Sequence, residues 1–112
     1  MIKFTELESV FADSDIIINK YSYETDEEID LPYLVYDATS GESFGADGIS
    51  FFKTLIISLA VIDESPNFFM QRKVEEVLDN NTVFFDKSIS FDDNSRLYTV
   101  IYTFSVVDNA SD

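Results

Sequence analysis

The side chains with chemical potential in this chain are almost all carboxylates. Asp and Glu number 22 against 7 Lys and Arg, a net charge of −15 over 112 residues, and there is no His, Cys or Trp. Without His the commonest general base and zinc ligand is missing. Without Cys there is no thiolate nucleophile and no disulfide. Carboxylates can work as an acid–base pair, but glycosidase-type pairs must face each other across a cleft. The adjacent pairs Asp63-Glu64, Glu75-Glu76 and Asp92-Asp93 diverge within any regular element, and they read as solvated surface charge. Hard-oxygen cation binding by Asp92-Asp93-Asn94-Ser95 or by segment 24–30 lacks the EF-hand spacing. There is no G-x-S-x-G or S-x-x-K motif, and Gly41, Gly45 and Gly48 lack the spacing and the following helix of a phosphate loop. The expectation is a protein with no enzymatic activity, no cofactor and no dedicated metal.

The same acidity argues against an electrostatic grip on nucleic acid or on an anionic membrane. Disorder does not fit either, because 46% of residues are hydrophobic and 15% aromatic, with 3 Gly and 2 Pro. The longest apolar block, 55–62, contains Ser58 and stops at Asp63, too short to span a bilayer. The N-terminus lacks a basic n-region followed by an apolar h-region, so the sequence predicts no signal peptide and a chain made and kept in a cytoplasm. Length predicts one domain over 1–112, with 108–112 as a flexible tail.

The elements that must position these residues follow from periodicity. Phe4, Leu7, Val10 and Phe11 predict a short amphipathic helix, opened by a Thr5/Glu8 capping box and ended by Asp13-Ser14-Asp15. Ile16-Ile17-Ile18 opens a strand that runs on through Tyr21 and Tyr23. Segment 24–30 (ETDEEID) holds five acids in seven residues and reads as an exposed loop closed by Leu31-Pro32. A second strand over 33–39 puts Tyr33, Val35 and Asp37 on one side and Leu34 and Tyr36 on the other. Residues 40–43 are turn-like, and 44–48 form an irregular link. The third strand, 51–62, sets Leu55, Ile57, Leu59 and Val61 on one apolar face, as suits a central strand covered on one side by helices.

Ser65 as N-cap and Pro66 at the first helical position start a second helix, whose body runs through Phe69, Val74, Val77 and Leu78 to Asn80-Asn81. A fourth strand over 83–91 carries Val83, Phe85, Ile89 and Phe91 on one face. Asp92-Asp93-Asn94-Ser95 turns the chain into a fifth strand over 96–107, with Tyr98, Val100, Tyr102, Phe104 and Val106 on one face. The order α-β-β-β-α-β-β predicts an α+β fold, a mostly antiparallel sheet of four to five strands with two helices packed on one face.

The alternating Tyr98, Tyr102 and Phe104 could stack bases, but such a platform needs basic neighbours and Arg96 alone is near, so core packing is the reading. Phe44, Phe51 and Phe52 flank a Gly-containing link. With Ala46 and Asp47 they are candidates for a subunit or partner interface.

From Leu31 onward a series of stretches becomes recognisable: LPYLVY at 31–36, SFGAD at 43–47, the strand 51–62, the helix RKVEEVLDNN at 72–81, and the hairpin VFFDKSISFDDNSRLYTVIYTFSV with its LYTVIY core at 97–102. Their order and spacing resemble the tail terminator (tail completion) proteins of long-tailed bacteriophages infecting Gram-positive hosts. The resemblance spans about three-quarters of the chain; the first 30 residues match less clearly and ETDEEID has no mapped counterpart.

This resemblance implies an α+β domain that assembles as a hexameric ring on the head-proximal end of the tail tube. The ring stops tube polymerisation and presents a surface to the head connector around the DNA channel. The implied partners are further copies of the chain, the tail-tube protein, and a head connector or stopper protein. DNA passes without specific binding and no membrane is involved. The implied location is the virion tail, reached after assembly in the host cytoplasm. A ring closes by a heterologous interface, for which the 44–47 link and exposed strand edges are candidates. Glu24, Asp26, Glu27, Glu28 and Asp30 are candidates to line a channel that repels phosphates; facing the tail tube, or simply solvating a loop, are the other roles open to them. Two other readings compete. One is a neighbouring neck protein, a head–tail connector or stopper. The other is an acidic DNA mimic that blocks a nucleic-acid-binding enzyme, although here the acids concentrate in predicted loops and helix surfaces.

Overall fold

The computed structural model of the chain describes residues 2–20, 30–44 and 52–108. A 3-10 turn (Phe4–Glu6) leads into helix α1 (Leu7–Ala12), then strands β1 (Asn19–Lys20), β2 (Tyr33–Phe44) and β3 (Phe52–Asp63). Helix α2 (Phe68–Asn80) follows, and the hairpin β4 (Phe85–Asp92) and β5 (Leu97–Val107) completes the fold. The sheet order is β1-β2-β3-β5-β4, antiparallel except where β1 runs parallel to β2. This is the expected α+β fold, with β3 at the centre.

The two-residue period of the strands explains the core. Pairing sets Leu34, Val61 and Val100 in one cross-strand row, Tyr36, Leu59 and Tyr102 in the next, and Ala38, Ile57 and Phe104 in a third. All three rows face the same side, and α1 and α2 close over it with Leu7, Phe11, Val74, Val77 and Leu78. Fully burying each such side chain stabilises the fold by roughly 1.5–3 kcal/mol before entropy is counted. The opposite face alternates apolar Val35, Ala60 and Ile101 with polar Asp37, Ser58 and Thr103. Among the described residues no helix covers it. At the end of β5, the Val107 N–H donates to the Ile2 carbonyl at 3.0 Å, so the N-terminal segment takes the edge position that β4 leaves vacant.

The termini of the elements depart from expectation for physical reasons. Helix α1 is capped by Glu6 rather than Thr5, with no side-chain cap bond. The preceding 3-10 turn lets Ile2 and Lys3 stay extended beside β5 before the chain tightens. At α2 the N-cap is Asn67, not Ser65. Asn67 is left-handed (φ 51°), its Oδ1 accepts the Met70 N–H at 3.0 Å, and its Nδ2 donates to Asp63 at 2.8 Å. Asn tolerates that backbone region better than most residues, and Ser65 is left accepting the Asn67 N–H at 3.3 Å. The buried face of the helix keeps the expected Val74, Val77 and Leu78 and extends back to residue 71. Gln71 becomes buried, its amide donating to the Pro66 carbonyl at 2.6 Å, and Phe69, expected in the apolar body, turns outward.

Residues 40–43 are not a turn. Strand β2 continues to Phe44, and three steps from Ser40 to Ser43 oppose two from Leu55 to Lys53, so the polar stretch holds a β-bulge. Ile16 to Ile18 remain outside the sheet, because Ile16 and Ile18 plug the core and only Asn19 and Lys20 pair with β2. The expected continuation through Tyr21 and Tyr23 lies outside the described residues, as do the 45–50 stretch of the link and the tail beyond Asp108. Strand β4 begins at Phe85 rather than Val83, because Val83 closes α2: its N–H donates to the Leu78 carbonyl at 2.9 Å after Thr82 turns left-handed (φ 57°). Arg96 belongs to the hairpin turn, not to β5. It is left-handed (φ 63°), and its N–H donates to the Asp92 carbonyl at 2.7 Å.

Candidate functional site

Two tyrosines of the central row fasten the helices to the sheet. Tyr36 on β2 donates its O–H to Glu8 of α1 at 2.9 Å, and Tyr102 on β5 donates to Glu75 of α2 at 2.8 Å. Glu75 also accepts from Lys87 of β4 at 2.9 Å. The buried Tyr102 ring meets Phe85 edge-on at 5.5 Å, with the Lys87 ammonium 5.8 Å from its centroid. Burial, and then the carboxylate each one faces, push both phenols up, Tyr36 to about 12 and Tyr102 further. For Glu75, burial alone would raise the pKa, but the hydrogen bonds from Lys87 and Tyr102 outweigh it and hold the carboxyl below its usual value. At neutral pH the phenols are therefore fixed donors and Glu75 a fixed anion. Each hydrogen bond joins a strand to a helix, so the pairs act as struts between layers.

Among the described residues, open grooves lie at opposite ends of the β3–β5 ladder. One, of about 490 Å³, is walled by Ile56, Val83, Phe84 and Ser105 and carries a single carboxylate, Asp86. The other, of about 370 Å³, lies beside the β4–β5 turn with Glu64, Arg96, Phe91 and Tyr98. Neither brings two carboxylates together. Among the described residues no group of three or more acids gathers to hold a metal ion, and no helix is long and apolar enough to cross a membrane.

The conspicuous surface feature is aromatic. Phe84 is 93% exposed, Phe69 70% and Phe68 62%, while Ile89 and Phe91 stand partly open on the edge strand β4. Phe68 and Phe69 start α2 at the Asp63 end of the sheet, and Phe84 borders the larger groove at the other end.

The residues expected from sequence are placed as follows. Asp30 is exposed just before β2; Glu24, Asp26, Glu27 and Glu28 lie outside the described residues. Phe44 and Phe52 are brought opposite each other by the last pair of the β2–β3 ladder, while Ala46, Asp47 and Phe51 lie outside the described residues. Sequence reasoning missed Phe68 and Phe84 as surface aromatics. For Phe84 the available signal was the expected strand 83–91 itself, in which Val83 and Phe85 on one face leave Phe84 on the other. No family model matches the chain, and no curated protein matches it.

Proposed function

We propose that this chain is a ring-forming tail terminator of a long-tailed bacteriophage. Copies close as a hexameric ring on the head-proximal end of the tail tube, end its polymerisation, and offer a surface to the head connector or stopper while the genome passes through. The observation that carries this reading is the set of exposed aromatics at both ends of the sheet. Phe68, Phe69 and Phe84 lie mostly in solvent and are not among the residues packed against the core, and grouped solvent-facing apolar surface supports contact with other chains. The motif order from LPYLVY to LYTVIY adds the family resemblance, and the strut-like role of the Glu75–Lys87–Tyr102 cluster suits a structural part. A net charge of −15 suits a wall along which DNA slides, because like charge repels phosphate over roughly 8 Å at physiological salt.

The test is to mix the purified protein with assembled tail tubes and image them. Rings capping one end of each tube, with further growth arrested, are the expected result. Tubes that stay bare and keep growing would overturn the proposal, and binding to a portal or adaptor instead would reassign the chain to a connector.

A further inference from the structure

The start of α2 places exposed aromatics beside cations, between the acids Asp63-Glu64 before it and Glu75-Glu76 after it. In a chain with 22 acids, the first turn of α2 carries none, and Arg72-Lys73 is the one pair of adjacent cations in the sequence. Cations near the positive end of a helix do not help the helix itself. Exposing Phe68 and Phe69 beside them gains nothing in folding. The Lys73 ammonium lies 5.6 Å from the Phe69 ring centroid, so apolar and basic groups share one knob. Complementary features occur at the other end of the ladder. The groove there is lined by apolar Ile56, Val83, Phe84 and Phe85 together with the hydroxyls of Thr82, Thr103 and Ser105, and Asp86 is its one charged residue. Ile56 lies seven residues along β3 from Asp63, roughly 23 Å at about 3.3 Å per residue, so knob and groove are well separated on one molecule.

We infer that Phe68 and Phe69 of one copy seat in the Ile56–Val83–Phe84 groove of a second copy, with Arg72 or Lys73 paired to its Asp86. A second copy is the occupant the charges favour. Two bodies of net charge −15 repel unless their contact is locally complementary, and this pairing joins the chain's basic step to a groove whose one charged residue is acidic. Because the two patches differ and sit at opposite ends, the contact runs head to tail. Each added copy leaves one free knob and one free groove, the geometry that closes into a ring or extends into a filament. The inference rests on the ring reading to the extent that it names the surfaces of that ring. Two aromatic side chains do not make a whole interface, which requires about 1,200–2,000 Å² of total buried area; they are its anchors.

The chain has no cysteine, so single thiols can be placed without background. Phe68→Cys, which keeps Phe69, and Ser105→Cys in the groove wall are mixed and treated with a short bismaleimide. Mixed dimers should dominate over either like-with-like product. In sedimentation velocity, Phe69→Ser should weaken self-association at least tenfold, roughly the loss of one aromatic anchor. The double change Arg72→Glu with Lys73→Glu should weaken it similarly, and adding Asp86→Lys should restore part of it. Matching thermal melts would confirm that these surface variants fold. Like-with-like cross-links in equal yield, no cross-link up to millimolar protein, or assembly unchanged by all the variants would each overturn the inference. Rings on tail tubes that survive Phe69→Ser would overturn this interface and leave the terminator reading standing. Selective mixed cross-links from a protein that never caps a tube would do the reverse.

Discussion

Removing the Tyr102 hydroxyl should separate the strut from the packing. Tyr102→Phe keeps the ring, its edge contact with Phe85 and its place in the core, and deletes the hydrogen bond of 2.8 Å to the Glu75 carboxylate with its longer branch of 3.4 Å to the Gln71 carbonyl. Hydrogen bonds to charged groups contribute about 1.5–3 kcal/mol. The Glu75 side chain is 31% exposed and keeps Lys87, so the lower end applies, about 1.5 kcal/mol. Unfolding entropy near 2.1 cal/mol/K per residue gives about 0.24 kcal/mol/K for this length, so the melting temperature should fall by roughly 6 °C. The effect should depend on pH with a definite sign. The folded carboxyl titrates below its ordinary 4.5. Its stabilisation is therefore complete above that value and is lost as pH falls through the folded pKa. Urea titrations of the parent and Tyr102→Phe should differ by about 1.5 kcal/mol at pH 7, and the gap should narrow as the pH falls through the folded carboxyl's pKa. A gap under about 0.5 kcal/mol at pH 7, the range of an ordinary surface change, would refute the strut. So would a gap that does not narrow as the carboxylates of the folded protein are protonated.

Three further outcomes are expected. Tyr36→Phe should cost less than Tyr102→Phe, about 0.5–1 kcal/mol in urea titration, because its acceptor Glu8 is exposed. Thr82→Gly should stabilise the fold by about 1 kcal/mol, since a β-branched residue there is held left-handed at φ 57°; calorimetry should show a higher melting temperature, and a lower one would mean that the Thr82 side chain makes a compensating contact. Replacing Glu24, Asp26, Glu27, Glu28 and Asp30 by Gln and Asn takes the charge from −15 to −10, and circular dichroism melts should move by no more than about 0.5 kcal/mol.

The sheet was legible because strand alternation is a local property. Leu55, Ile57, Leu59 and Val61 on β3, and Val100 to Val106 on β5, announce their buried face within a few residues, and the register then follows from the pairing. The helix starts were less legible. Whether Ser65 or Asn67 caps α2 depends on Asp63 lying within 2.8 Å of the Asn67 amide, a contact set by the end of β3 rather than by the helix. The face of α2 that packs inward is set by Val74, Val77 and Leu78, and Gln71, three residues before Val74, falls on it while Phe69 does not. The polar run 40–43 has turn composition, yet pairing with β3 carries it through a bulge as strand. The exposed aromatics were hidden for the same reason. A Phe reads as core in any pattern until the neighbouring layer is seen to stop short of it, as α2 stops short of Ile89 and Phe91 on the edge strand. Of the interface candidates proposed from sequence, the Phe44–Phe52 backbone pair is placed by the β2–β3 ladder, a long-range contact that spacing alone could not supply.

The most direct measurement of the terminator account is tail length by electron microscopy in a phage carrying this chain after its coding sequence is deleted. The account predicts overlong tails that fail to join heads, restored to normal when the chain is supplied in trans. Tails of normal length that still join heads would contradict it.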